Sequence, residues 1–362
     1  MSHTEKTILV FPFGPPASIE FAKACQSQGH TVIGASSLTL EPTKELASGW
    51  LRLPFFNAHD FTERLLAGLK ELDIDEIYCC HPLVYEKIND ICATETTRAS
   101  LISNNGWQDD LTSFRSAEAL VNLYHSKSSS CKLARAQITP IYYQTLKIPG
   151  WCSTEKIAAF IDVFDSVPKG DIIEIGVWCG KSATALAMLS RHFGQGNLLC
   201  IDPWANTNTF QEEDEGVNKA MLTFDMDEVW RHFICNMLAL VPNHINYIRA
   251  ASAAAHAKYA ENLRIKTVEF GETQYAGRIA LLHIDGNHDQ KIVSQDLRNW
   301  CPHLTQNGWL VIDDYVHAWG QGPRIVADAF LSEHRDDILQ SFVSGSALFI
   351  QMKNPVSPRL WT

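Results

Sequence analysis

The chain has 362 residues, 46% hydrophobic and 20% charged, which is room for about two domains with sizeable cores and lies outside the composition of disordered chains. Thirty Lys and Arg against 41 Asp and Glu give a net charge of −11, so a nucleic acid would meet a repulsive field that no basic stripe relieves. The excess is mostly C-terminal: residues 1–150 carry 13 basic and 16 acidic residues, and residues 151–362 carry 17 and 25.

No apolar run reaches the 18 residues of a membrane span, and the apolar stretch before Gly14 is too short for a signal peptide. The ten cysteines form neither a CxxC pair nor a disulfide-scaffold spacing and read as buried free thiols of a cytoplasmic protein.

In chain order, Ile8–Phe11 reads as a buried strand, followed by Gly14-Pro15-Pro16, a helix from Ile19 to Gln28 closed by Gly29, and a second strand at Thr31–Ile33. A helix over Phe61–Leu72, a strand at Glu76–Cys80 and a helix around Val84–Cys92 extend this into a small Rossmann-like α/β layer. Helix-like text at Ser116–Tyr124 gives way to Ser126-Lys127-Ser128-Ser129-Ser130 and a proline-punctuated stretch, Ile138–Gly150, which reads as a connection and places a domain boundary near 145. The domains expected are thus 1–145 and 146–362.

A second α/β series follows, with strands at Asp171–Ile175, Leu198–Ile201, Ile245–Arg249, Ile279–Ile284 and Trp309–Ile312. Two late strands, near Gln340–Val343 and Ala347–Met352, are joined by Ser344-Gly345-Ser346 and should form an antiparallel hairpin. The fold class expected is α/β: five parallel strands with a terminal antiparallel hairpin, preceded by a smaller Rossmann-like domain.

Glu174-Ile175-Gly176-Val177-Trp178-Cys179-Gly180 closes the first of these strands and opens a helix after Lys181-Ser182. Glycine there admits a close backbone approach and leaves helix N-terminal amides to donate. The spacing is not GxGxxG, so a nucleoside-type ligand fits better than a cradled diphosphate, and a plain tight turn is the other reading. Asp202, ending the second strand before Pro203-Trp204, is placed to hold ribose hydroxyls.

These residues resemble the class I S-adenosylmethionine (SAM) methyltransferases over roughly residues 155–352. The resemblance implies that Glu174, Gly176, Gly180 and neighbouring Ser182 border the methionine part of SAM, that Asp202 takes the ribose, and that Ser252 neighbours adenine.

His283-Ile284-Asp285-Gly286-Asn287-His288 ends the fourth strand, and Asp313-Asp314-Tyr315 ends the fifth. Adjacent parallel strand ends share a crevice, so Asp285, Asp313 and Asp314 should converge. Three clustered carboxylates call for a shared cation, with Mg²⁺ (or Mn²⁺) the usual choice for oxygen ligands. Helix capping by one or two of these aspartates is the alternative. His288 reads as a general base; it could instead ligate the ion directly, favouring Zn²⁺ or Mn²⁺, or be structural. His283 reads as a core group, and Asp289 and Asp296 as helix-surface acids.

The run resembles the metal-dependent O-methyltransferases of the catechol and macrolide-sugar types. That resemblance implies Asp285, Asp313 and Asp314 as metal ligands, with Asp285 also in the catalytic and SAM-facing set, and His288 as base. It points to a sugar or polyol hydroxyl of a natural-product or surface-polysaccharide intermediate as acceptor. A metal-independent SAM enzyme (N-methylation or SAM cyclisation) and a non-catalytic nucleotide or sugar-nucleotide binder are the alternatives; a binder has no need of a base beside three acids. The loop from His317 to Arg324 is a candidate lid, with Trp319 for stacking on a sugar and Arg324 for an anion. Trp204–Glu228, with its acidic run Glu212–Glu215, is a candidate cap.

Residues 7–145 resemble the domain that precedes the ATP-grasp fold in carboxylate-amine ligases, on Gly14-Pro15-Pro16, Gln28-Gly29-His30-Thr31-Val32-Ile33-Gly34 and the Ser126-to-Ala136 segment. With no ATP-grasp core following, the resemblance implies an auxiliary role in homo-oligomer formation or in closure over the acceptor, without ATP chemistry.

Overall fold

The computed structural model describes residues 5–103, 111–127, 132–206, 210–211, 215–240, 244–317 and 321–356. The chain divides into two compact units, Met1–Ser113 and Phe114–Thr362.

In the first unit five strands, β1 (Thr7–Val10), β2 (Thr31–Ser36), β3 (Gly49–Arg52), β4 (Glu76–Tyr78) and β5 (Ser100–Leu101), lie in the order β3-β2-β1-β4-β5, all parallel. This is the expected Rossmann-like layer. Its first helix, Pro16–Ser27, starts on a proline whose missing amide costs nothing at that position, and the chain turns away at Gly29 with φ +85°. Leu9, Ile33, Leu65, Ile77 and Ile88 form the core. The strands β3 and β5 were not anticipated, because neither contains a fully buried residue and so neither shows the apolar run that marks the other strands.

The second unit is built on a seven-stranded sheet. Its strands are β6 (Asp171–Ile175), β7 (Leu198–Ile201), β8 (Ile245–Ile248), β11 (Ile279–Ile284), β12 (Leu304–Ile312), β13 (Ile338–Ser344) and β14 (Ala347–Met352), in the order β13-β14-β12-β11-β6-β7-β8. The five strands from β12 to β8 are parallel, and β14 runs antiparallel to both its neighbours, as the hairpin signal predicts. A small antiparallel pair, β9 (Arg264–Thr267) and β10 (Gly271–Gln274), is inserted between β8 and β11.

Alternate residues of each central strand serve opposite faces. Ile172, Leu198, Leu281, Val311 and Phe349 pack on the side of the helices Thr154–Val163, Lys181–Phe193 and Met226–Leu238. Ile173, Leu199, Leu282, Leu310 and Ile350 pack on the side of Ser252–Glu261, Gln290–Trp300 and Gly322–Glu333. With both faces covered, the strands read as continuous apolar runs.

Two expectations differ here. Arg135–Thr145 is a helix containing Pro140 rather than a connection, because Ile138, Ile141 and Tyr142 are buried in the second unit's core. That helix and its predecessor, Thr112–Lys127, therefore belong to the second unit, so the units part near 113 instead of 145. No helix among the described residues is long and apolar enough to cross a membrane.

Candidate active site

The sheet order reverses between β6 and β11, and the crevice beyond their carboxyl ends is the position where open α/β sheets bind ligands. Gly176 follows β6 and Asp285 follows β11, and the Asp285 amide donates to the Ile175 carbonyl at 2.7 Å. Gly176 has φ +83°, and a Cβ there would lie 1.9 Å from the Asp285 carbonyl oxygen, so the turn requires glycine on two counts. Gly180, φ +88°, caps the helix Lys181–Phe193 and faces Phe233 and Met237.

Asp202 shapes this turn. Its Oδ2 accepts from the amides of Val177 (2.9 Å) and Trp178 (3.0 Å), and Oδ1 from that of Trp204 (2.7 Å). Three of a carboxylate's roughly four lone-pair sites are thus committed to backbone, leaving one direction toward a ribose. Burial raises its pKa despite those amides. Ser252 opens the helix Ser252–Glu261 and accepts from the Trp300 indole at 2.9 Å.

Glu174 and His283 face each other across β6 and β11, Nδ1 to Oε1 at 2.9 Å, both fully buried. Burial pushes the Glu174 carboxyl up to about 8, moderated by the Ser182 hydroxyl and Lys156. Burial, with Lys156 behind it, pushes His283 down to about 3, so its ring is neutral. The His283 Nε2 has no hydrogen-bond partner and points at two acids, 3.7 Å from Asp285 Oδ2 and 4.0 Å from Asp313 Oδ2.

Those two acids hold a side chain that sequence reasoning missed. Lys156, 1% exposed, reaches in from the helix Thr154–Val163. Its Nζ lies 3.0 Å from Asp285 Oδ2 and also bonds Asp313 Oδ2. Burial opposes its charge, but Asp285 and its neighbours outweigh that and raise its pKa. Asp313 Oδ1 accepts from the Ser346 hydroxyl (2.7 Å) and the Asp314 amide (2.9 Å). The single sequence signal for Lys156 was its place in the first turn after the N-cap Ser153, where the helix dipole disfavours a cation.

Asp314 does not join this cluster. It adopts φ +54°, which turns its carboxylate to His288, with Oδ2 2.7 Å from Nε2 and Oδ1 3.8 Å from His317 Nε2. Burial works against ionisation there, yet the hydrogen bond and charge of His288 hold Asp314 below the usual carboxylate range. The expected convergence of Asp285, Asp313 and Asp314 on one ion is therefore replaced by two sites: an Asp285–Asp313–Lys156 cluster and an Asp314–His288–His317 cluster.

A divalent ion does not fit the first of these. Mg²⁺ needs near-octahedral oxygen ligands at about 2.0–2.1 Å. Asp313 has both oxygens engaged, Asp285 Oδ2 carries an ammonium that would repel the ion, and Asp314 is turned away.

The insert after Asp202 does meet the strand ends: the Asn287 amide donates to the Phe210 carbonyl (2.9 Å), and Phe224 packs edge-on against Trp178 at 5.0 Å. Trp178 also meets the exposed Trp151 at 5.5 Å. Glu212–Asp214 and Trp319 lie outside the described residues. Arg324 lies over the Tyr315 ring and beside Asp328. Asp296 is buried, which corrects its reading as a surface acid.

The family described as a methyltransferase domain matches residues 173–315. Those residues form a methyltransferase domain. The match contains the expected SAM-facing residues, the three aspartates and His288, while the candidate lid residues Trp319 and Arg324 lie beyond it, and the domain is of the SAM-dependent kind. Gly176, Gly180, the helix N-terminus at Lys181 and Asp202 lie together at this turn, and a close backbone approach, amide donors and a carboxylate are the kinds of group that SAM would need. Lys156 and Ser346 fall outside the matched stretch.

No curated protein matches the chain in sequence. Among solved structures, the methyltransferase chain is similar to the O-methyltransferase NovP (12% identity, TM-score 0.42, 67% of this chain and 98% of that one). It is also similar to MycE methyltransferase from the mycinamycin biosynthetic pathway in complex with Mg, SAH and mycinamycin VI (15%, 0.36, 66% and 55%). A third is CalS11, the TDP-rhamnose 3'-O-methyltransferase of calicheamicin biosynthesis (14%, 0.36, 69% and 96%).

Proposed function

We propose that this methyltransferase domain methylates a hydroxyl oxygen, on a sugar or other polyol carried by a small biosynthetic intermediate. The observation that carries this reading is the Asp314–His288 pair at 2.7 Å, at the carboxyl ends of β11 and β12. An alcohol is a poor nucleophile until its proton is removed, and a histidine oriented by a carboxylate is suited to that task near neutral pH.

When bound, SAM supplies a methyl group already activated on a sulfonium centre. The chain's residues do the rest. Asp314, paired with Nε2, orients the ring; the imidazole takes the acceptor proton, and Asp314 stabilises the imidazolium that results. Gly176 and Gly180 let the backbone come close to the methionine end, and Asp202 offers its remaining lone pair to the ribose. Trp178, Trp151 and Phe224 give an aromatic surface beside the turn, suited to the apolar face of a sugar ring. The divalent ion expected from three aspartates takes no part in this reaction, because Lys156 stands among its ligands.

His288→Ala should lower turnover by about 10²- to 10⁴-fold, as loss of a general base does. Asp314→Asn should lower turnover and alter its pH profile, while SAM binding by calorimetry survives in both. Full turnover in either variant with a hydroxyl acceptor would overturn the role of the pair.

A further inference from the structure

The cluster at the ends of β11 and β12 holds two carboxylates, the His283 imidazole and one ammonium. Asp313 has 4% of its side chain exposed and Lys156 1%, so water screens neither charge appreciably. Two adjacent carboxylates, one of them buried and the other a quarter exposed, are disfavoured without a cation between them. Among the described residues Lys156 is the cation that touches both acids.

The ammonium is also locked in place. Its helix is capped by the Ser153 hydroxyl, which accepts from the Lys156 amide at 3.1 Å. The hairpin turn between β13 and β14 closes over that point: Ser344 Oγ donates to the Glu155 carbonyl at 3.0 Å, Ser346 Oγ holds Asp313, and a Cβ on Gly345 would come 2.5 Å from Ser153 Oγ. Helix, hairpin and strand ends therefore deliver one lysine to two acids. The ligand-type atoms of His283, Asp285 and Asp313 all lie within 4.8 Å of one another, so without the lysine they would make an N,O,O donor set for a divalent ion.

We propose that the Lys156 ammonium is the resident cation of this methyltransferase, a side chain occupying the place of a divalent ion, so that deprotonation of the acceptor falls to His288 and Asp314 alone. Lys156 is a positioning residue: it fixes Asp285 and Asp313, and through them the neighbouring strand ends. Its chemical meaning rests on the proposed O-methyl transfer, but its test is cation binding, so either can fail alone.

The probe is Mn²⁺, followed by calorimetry and by electron paramagnetic resonance on the full chain. Wild type should bind no Mn²⁺ at up to millimolar concentration, and its turnover should be the same in EDTA. Lys156→Ala should bind one Mn²⁺ per chain at least tenfold more tightly than wild type, and Asp285→Asn added to it should abolish that binding. Should Lys156→Ala fail to fold, Lys156→Met keeps the packed stem and removes the charge. One tightly bound Mn²⁺ in wild type, lost in Asp285→Asn, would overturn the proposal. So would absence of binding in wild type and in the folded lysine variant alike, since the acids would then not be a cation site.

Discussion

Asp296 lies inside the helix Gln290–Trp300 with 3% exposure, and burial pushes its carboxyl up to about 6. Its ordinary value is about 3.9, so the folded state holds the proton more tightly than the unfolded one. The sign follows: stability is unaffected below about pH 4 and is lost as pH rises through about 6. Asp296→Asn should therefore leave the urea midpoint near pH 4 almost unchanged and raise stability at pH 7.5 by up to about 3 kcal/mol. Equal shifts at both pH values would show that burial of charge is not the cause. Asp296, Lys156 and Asp314 share a reason for having been hard to read. Each is a charged residue whose local text suits a solvated helix or strand end, while its role is set by elements more than 25 residues away or, for Asp314, by a left-handed backbone turn. Asp285, Asp202 and the two turn glycines were legible because strand, turn and acid follow one another within a few residues.

The turn between β6 and the helix Lys181–Phe193 can be separated from an ordinary glycine turn. Gly29 and Gly176 have nearly equal φ, +85° and +83°, but a Cβ on Gly29 would meet nothing within 4 Å, whereas on Gly176 it would enter the Asp285 backbone. Gly29→Ala should cost about 1 kcal/mol, the strain of the left-handed conformation alone. Gly176→Ala should cost several times more and weaken SAM binding, since β11 must move; thermal unfolding and calorimetry on both variants check this. At this scale most strands and the C-terminal hairpin were readable, because unbroken β-branched and aliphatic runs bounded by glycine leave few alternatives. β9 and β10 escaped because Arg264-Ile265-Lys266-Thr267 and Gly271-Glu272-Thr273-Gln274 alternate too briefly and expose most of their side chains.

The division of the molecule near residue 113 makes a prediction about shortened chains. A chain of residues 114–362 keeps Val121, Tyr124, Ile138, Ile141 and Tyr142 in the core they share with Leu186 and Phe164, and should fold and bind SAM. A chain starting at 146 loses those side chains, exposes the apolar surface beneath them, and should be recovered as aggregate or molten material. Circular dichroism and SAM calorimetry on the two distinguish a boundary at 113 from one at 145. The earlier boundary was hidden because Pro140 and a serine-rich stretch look like a linker, and only the buried face of Arg135–Thr145 shows otherwise. The route by which Lys156 reaches its acids also has a bearing on how the protein is made. Asp313 follows Lys156 by 157 residues, which at about 5–20 residues per second is roughly 8 to 30 s of synthesis. Until Asp285 and then Asp313 have been made, the helix bearing Lys156 lacks the two anions that seal its charge away from water. The hairpin that closes over it, Ile338–Met352, emerges later still than Asp313, so the interior of this domain is sealed only when the last strands of its own sheet have been made.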